Sequence, residues 1–258
     1  MSSWKTSLST ERVRRSFSAA AEHYDALTDL QREIADELIV KLPDARRILD
    51  VGCGTGYLTG RLKDSYPQAK ITGLDFAQGM IAKAQEYRRD IQWITGDAEL
   101  LPFEDKDFDV IVSNAAYQWV LDLPKAFAQA QRVLSNEGTF AANLFGYHTC
   151  DELFEALQAT GASKEELNRL PKIEDVQKYL TQAGFSNAQV ESKMTQIQFK
   201  DLWELLNWLK AIGANGLTSG QFLGPRALQE ANEYCLKNYP HSNGINITFE
   251  VISIYAKA

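Results

Sequence analysis

Three features of the sequence predict an α/β fold built on a mostly parallel sheet with helices on both faces. Between Arg46 and Phe145, short β-branched runs alternate with segments of helical periodicity, and strands separated by helices imply right-handed crossovers and parallel pairing. The first strand ends in a glycine-rich turn, Asp50-Val51-Gly52-Cys53-Gly54-Thr55-Gly56, and the second ends in an acid, Asp75. Sheets of this kind hold ligands at the carboxyl ends of their strands. The composition, 258 residues with 45% hydrophobic and 24% charged, excludes a largely disordered chain.

Before the sheet, Val13, Phe17, Ala20 and Tyr24 recur at helical spacing, and Leu30, Ile34, Leu38 and Leu42 repeat the pattern until Pro43. Two helices therefore precede the first strand. The chain then reads as strand 46–51, helix 57–66, strand 70–75, helix 78–88, strands 91–95 and 108–113, helix 123–134 and strand 139–145. Past Gly146, helices are expected at 151–159 and 174–183, a strand within 188–199, and helices at 201–212 and 225–238. Finally Ile245, Ile247, Phe249 and Val251 alternate with Asn246, Thr248 and Glu250 at the period of a strand. With no repeat or linker, a single domain over 1–258 is expected: an N-terminal helical lid (1–45), a cofactor-binding core (46–145) and a C-terminal part (146–258) with helices and the last two strands.

The charge balance, 27 Lys and Arg against 34 Asp and Glu for a net −7, argues against nucleic acid as a partner, because counterion release needs a broad basic surface. Cys53, Cys150 and Cys235 are too far apart to form a CxxC pair, so no metal is expected and reduced thiols are the simplest account. The stretch Met1 to Thr10 is polar and no apolar run approaches the ~20 residues of a membrane span. A cytoplasmic protein without membrane contact is expected.

Glycines at a strand-to-helix turn let the backbone bend sharply and approach a ligand. A dinucleotide loop needs G-x-G-x-x-G; here Tyr57 stands where the last glycine belongs, which weakens a nicotinamide oxidoreductase reading. Asp75 follows Gly56 by 19 residues, where a carboxylate can accept from both hydroxyls of a ribose. In Gly96-Asp97-Ala98-Glu99, Asp97 is suited to accept from an adenine amino group.

Taken together, Asp50 to Gly56, Asp75, Asp97 and the strand end Ser113-Asn114 resemble the binding set of class I S-adenosylmethionine-dependent methyltransferases. The resemblance implies a Rossmann-like, seven-stranded, mostly parallel sheet in the order 3-2-1-4-5-7-6, with its last strand antiparallel, N-terminal helices, and a helical insertion before that strand. It implies S-adenosyl-L-methionine as cofactor. Asp50, Gly52, Cys53, Gly54 and Gly56 would lie at its amino-acid part, Asp75 at the ribose, Phe76 and Met80 beside the adenine, Asp97 with Ala98 at its amino group, and Asn114 near the methionyl end.

Methyl transfer from a sulfonium is an in-line displacement that depends mainly on alignment. A protonated nucleophile needs a base, whereas an ionised carboxylate needs none. None of the histidines, His23, His148 and His241, falls in the cofactor core, and His241 beside Pro240 reads as a surface turn. Beyond the core, the segments Phe17 to Asp25, Leu30-Gln31-Arg32, Ser113 to Trp119 and Leu209-Lys210-Ala211-Ile212-Gly213-Ala214-Asn215 resemble the malonyl-acyl-carrier-protein O-methyltransferases of biotin synthesis. This resemblance implies methylation of the free carboxylate of a malonyl thioester, on acyl-carrier protein or coenzyme A, which agrees with the missing histidine base.

Tyr24, on the first helix, would then cover the cofactor, line the acceptor pocket and act as the catalytic residue, with Gln118 and Trp119 shaping that pocket. Lys210 and Arg226 are candidate substrate-binding cations, and with Arg12, Arg14 and Arg15 they are candidates for the landing site of an acidic carrier; no residue is assigned to hold the substrate carboxylate. A monomer is expected. The competing readings are a methyltransferase for a free dicarboxylic acid or quinone precursor, and a non-catalytic S-adenosylmethionine-binding module.

Overall fold

The computed structural model describes residues 10–161, 170–214 and 224–258; the polar stretch up to residue 9 and Asn215 lie outside them. Helices α1 (Thr10–Ala20) and α2 (Asp29–Ile39) lead into β1 (Arg47–Val51), α3 (Tyr57–Ser65), β2 (Lys70–Asp75), α4 (Gln78–Tyr87), β3 (Gln92–Thr95) and β4 (Phe108–Asn114). Then come α5 (Leu123–Val133), β5 (Leu134–Phe145), α6 (Asp151–Ala159), α7 (Ile173–Ala183) and β6 (Ser186–Phe199). Helices α8 (Leu202–Ala211) and α9 (Pro225–Asn238), the two-residue strand β7 (Pro240–His241) and β8 (Gly244–Lys257) complete the described chain.

The sheet order is β3-β2-β1-β4-β5-β8-β6, with β7 paired to β8 off this path. Counting only the seven long strands, this is the expected 3-2-1-4-5-7-6, and β8 runs antiparallel to both β5 and β6. The parallel registers matter most for function. Pairing Asp50 with Gly73, Asp75 with Thr95 and Asn114 with Asn143 brings the carboxyl ends of β1 to β5 to one edge of the sheet. The candidate residues, scattered along the chain, meet at that edge.

One face of the sheet is sealed by α5 and α7 over a buried aromatic group in which Phe140 packs against Tyr117, Phe127 and Phe185 at centroid distances of 5.6, 5.8 and 5.2 Å. Fully burying each such ring contributes about 1.5–3 kcal/mol. The other face is closed by α2 and α3, whose Ala35, Leu38, Leu58 and Leu62 meet Ile48, Val110 and Val112 of the sheet. A third cluster joins α6, α8 and α9 to β8 and builds the C-terminal wall.

Two details differ from the expectation. Helix α1 stops at Ala20, so Tyr24 sits in a separate 3-10 turn, Tyr24–Ala26. The cause is tertiary: Thr55 of the glycine loop donates its hydroxyl to Asp25 at 2.6 Å, and Tyr24 turns inward to meet Phe17 edge-on at 6.5 Å. Strand β5 begins at Leu134, immediately after α5, because Leu134 pairs with Phe108 before a bulge resets the register. His241 lies at the expected surface turn, which is the end of a small hairpin, and its ring is bonded to the Gln198 amide at 2.8 Å.

Candidate active site

Strand β1 delivers Asp50 to the sheet edge almost completely buried. Its Oδ2 accepts the Thr59 hydroxyl at 2.6 Å, while Oδ1 has no partner. Burial pushes the carboxyl up to about 7. The three glycines that follow all have positive φ, 76° at Gly52, 55° at Gly54 and 93° at Gly56, which L side chains rarely adopt. Their surroundings separate their roles. A Cβ on Gly52 would meet Ala116 at 2.2 Å and one on Gly56 would meet Trp93 at 2.6 Å, whereas a Cβ on Gly54 would meet nothing within 4 Å and would project into open space. Two glycines serve packing; the middle one keeps a cradle clear.

Asp75 ends β2 beside this loop. Its Oδ2 accepts the Gly54 N–H at 2.9 Å and its Oδ1 the Ala77 N–H at 2.8 Å, which fixes the carboxylate against both the loop and the start of α4. Burial still pushes it up to about 6, against the lowering effect of those N–H groups. Phe76, Met80, Asp97 and Ala98 line the cavity into which Asp75 and Gly54 open. Asp97 Oδ1 accepts the Glu99 N–H at 2.9 Å, which shapes the turn after β3. Asn114 donates Nδ2 to the Gln31 carbonyl at 2.8 Å and accepts from Asn143 at 3.3 Å, so it ties α2 to the ends of β4 and β5.

Two more cavities adjoin the first. One lies against Asp50, Cys53, Gly54 and Thr55 and is closed by Gln31 and Arg32 of α2. The other lies among Gln118, Trp119, Phe145, Trp208, Ile212 and Phe249. Tyr24 lines all three. Burial and the nearby Asp75 and Asp25 raise its hydroxyl well above the ordinary tyrosine range, so it stays protonated and able to donate. Burial likewise holds the Cys53 thiol neutral.

Among the described residues, five buried side-chain atoms have no hydrogen-bond partner: Gln31 Oε1, Arg32 Nε, Asp50 Oδ1, Tyr117 OH and Gln118 Oε1. Each belongs to a residue that lines one of these cavities. Buried polar groups are ordinarily satisfied, so this concentration marks the place of a polar ligand. The cradle at Gly54, the acids at Asp50 and Asp75 and the apolar flank of Phe76 and Met80 fit S-adenosylmethionine.

Other expected residues do not converge there. Lys210 is exposed, and Arg226 is 93% exposed and paired with Glu230; neither lines these cavities. Arg14 and Arg15 both pair with Glu11, which offsets their charge locally. Gly56 faces Trp93 rather than the cavities. Conversely, Gln31, Arg32, Phe17 and Trp208 reach the site although none was expected there; Phe17, Gln31 and Arg32 lie in segments that carry the family resemblance, which was the signal available for them. The Ile212-Gly213-Ala214 turn explains part of this: Gly213, at φ 82°, lies so close to the first helix that a Cβ would meet Phe17 Cα at 3.1 Å.

The strand order, the glycine cradle and the acid at the end of β2 together define an S-adenosylmethionine-dependent methyltransferase, and residues 49–142 match the methyltransferase domain family. The YcgJ protein of Bacillus subtilis shares the fold at a TM-score of 0.62 and 18% identity, covering 88% of this chain and 97% of that one. A malonyl-[acyl-carrier protein] O-methyltransferase of Geobacter sulfurreducens is 33% identical over 256 residues, 93% of this chain and 96% of its own. Another, from Halorhodospira halophila, is 35% identical over 226 residues, covering 84% and 74%. The biotin biosynthesis bifunctional protein BioHC of Teredinibacter turnerae is 31% identical over 95% of this chain and 46% of its own length. The chain belongs to the malonyl-[acyl-carrier protein] O-methyltransferase family. Among the described residues, no helix is long and apolar enough to cross a membrane.

Proposed function

We propose that the protein methylates the free carboxylate of a malonyl thioester carried on acyl-carrier protein, an early step of biotin synthesis. The observation that carries this reading is the meeting of a polar cofactor cradle and a separate, largely apolar acceptor cavity at one residue, Tyr24. Near full-length likeness to relatives named for that reaction supports it. S-adenosylmethionine, when bound, supplies a methyl on a positively charged sulfur; transfer to a carboxylate oxygen leaves the electron pair on sulfur and moves no proton.

In this reading, Asp75 accepts from the ribose hydroxyls, and Phe76 and Met80 flank an adenine whose amino group reaches Asp97. The unpartnered Asp50 Oδ1 and Arg32 Nε offer an acceptor and a donor in one cavity, the pair that an amino-acid ammonium and carboxylate require. Tyr24, held neutral, donates its hydroxyl where the cavities join and excludes water from the reacting atoms. A malonyl carboxylate is ionised at neutral pH, so alignment suffices and no general base is needed.

Methyl-labelled S-adenosylmethionine incubated in parallel with malonyl-acyl-carrier protein, malonyl-coenzyme A and free malonate tests the proposal. Label is expected on the carrier-bound malonyl group. Transfer to free malonate alone would assign the site to a small acid, and no transfer to any acceptor would refute the reading.

A further inference from the structure

Resting on that proposed reaction, we infer that Gln31 is the residue that binds the acceptor's carboxylate, through an uncharged carboxamide rather than a cation. Gln31 sits on α2 at 7% exposure, and its place is fixed because its backbone carbonyl accepts from Asn114 at 2.8 Å. It lines both the cavity against the glycine loop and the acceptor cavity, a position it shares only with Tyr24 among the residues lining the two. The reacting oxygen must lie at such a junction, since it has to touch the cofactor's methyl from the acceptor side.

Gln31 Oε1 is buried without a partner, and the carboxamide makes no side-chain hydrogen bond among the described residues. Its NH2 carries two diverging N–H donors, one of which can meet a carboxylate oxygen at the junction. Gln118, the other amide of this cavity, is less free: one of its two Nε2 hydrogens is committed to the Ala115 carbonyl at 2.8 Å, which fixes the amide, and it does not line the cavity against the glycine loop. The described residues lining the acceptor cavity include no charged side chain. A neutral donor offsets part of the carboxylate's desolvation and leaves the second oxygen more nucleophilic than a full ion pair would.

Two substitutions test this with malonyl-acyl-carrier protein at saturating S-adenosylmethionine. Gln31→Leu is expected to raise KM for the acceptor at least tenfold, with the cofactor Kd, measured by calorimetry, within threefold of the parent. Gln31→Glu is expected to lose at least a hundredfold in kcat/KM at pH 8. Relative to the parent, it should recover at least tenfold by pH 6, because a protonated Glu is a neutral donor of the same shape whereas an ionised one repels the substrate. A purely structural role would not produce that recovery. An unchanged acceptor KM in Gln31→Leu, or a ratio of Gln31→Glu to parent that is flat with pH, would overturn the inference while the parent's activity keeps the proposed reaction. If Gln31→Leu loses cofactor binding, the pH ratio alone decides. A parent that transfers nothing to the malonyl thioester would overturn both.

Discussion

Both oxygens of Asp75 accept backbone N–H groups, from Gly54 and Ala77, before any ligand arrives. The carboxylate is thus aimed in advance, and a diol binding to it uses the remaining lone pairs. Losing two charge-assisted bonds of about 1.5–3 kcal/mol each, Asp75→Ala is expected to raise the S-adenosylmethionine Kd by a hundredfold or more in calorimetry; a change within twofold would mean the ribose lies elsewhere. Tyr24→Phe removes a donor at the junction without emptying space, so kcat should fall about tenfold with cofactor affinity nearly unchanged. The buried acids also predict a pH dependence. Burial pushes Asp50 and Asp75 up to about 7 and about 6; in the proposed reading their ionised forms accept from the cofactor, so affinity should fall as pH drops through 7 to 6. Stability runs the opposite way. Folded values above the unfolded ones mean that the folded chain holds more protons between about 4 and 7, and stability from this source is lost as pH rises across that window. Asp50→Asn should therefore gain in melting temperature over the parent as pH rises from 5 to 8; parallel melting curves would contradict the burial effect.

At the scale of elements, close approach outweighs intrinsic propensity. Gly79 lies in the first turn of α4, where Gly→Ala would ordinarily stabilise a helix by about 1 kcal/mol. Its Cβ, however, would meet the Ser18 carbonyl oxygen at 2.5 Å, and that atom is backbone and cannot swing aside. Gly79→Ala is thus expected to push α1 off α4, lower the melting temperature and weaken cofactor binding; a stabilised variant would show that α1 yields freely. The glycine loop divides similarly. Gly56→Ala, against Trp93, should act chiefly on stability, whereas Gly54→Ala, strained at φ 55° but meeting no neighbour, should add a loss of cofactor affinity to a smaller stability cost. The spacing of this loop and the acid after β2 were legible in the sequence because they are local chemistry: a turn needing positive φ and a carboxylate one strand away. The end of α1 was not, because Tyr24 continues the helical stripe and only the Thr55–Asp25 contact from a distant loop draws it into a turn.

For the whole molecule, the sheet is the frame that holds the site, and its centre lies at Phe140 between Tyr117, Phe127 and Phe185. Phe140→Ala opens a cavity in that stack and should cost about 3–5 kcal/mol. In a chain of this length that corresponds to a melting temperature lower by about 10 °C. The cofactor Kd well below the melting temperature should rise modestly, because Tyr117 packs on Phe140 and also lines the cofactor cavity; an unchanged affinity would show that the carboxyl edge is independent of this core. The net charge of −7 also reads differently against the structure. Arg14, Arg15 and Arg226 each pair with a neighbouring Glu rather than gathering at the acceptor cavity. Acceptor recognition is accordingly assigned to the cavity itself.

The sequence by itself determined the strand–helix alternation, the order of the long strands through family resemblance, the glycine cradle and the acid at the end of β2. All of these depend on residues near one another in the chain or on a repeating pattern. Only the tertiary structure decided which side chains complete the site. Gln31 and Arg32 enter because α2 is tied to the ends of β4 and β5 through Asn114 and Asn143, while Lys210 and Arg226 fall outside because their helices turn those positions to solvent. A side chain's periodicity tells which face is buried. What that face meets is fixed by packing between elements 83 and 109 residues apart in the chain, and no short-range periodicity encodes it.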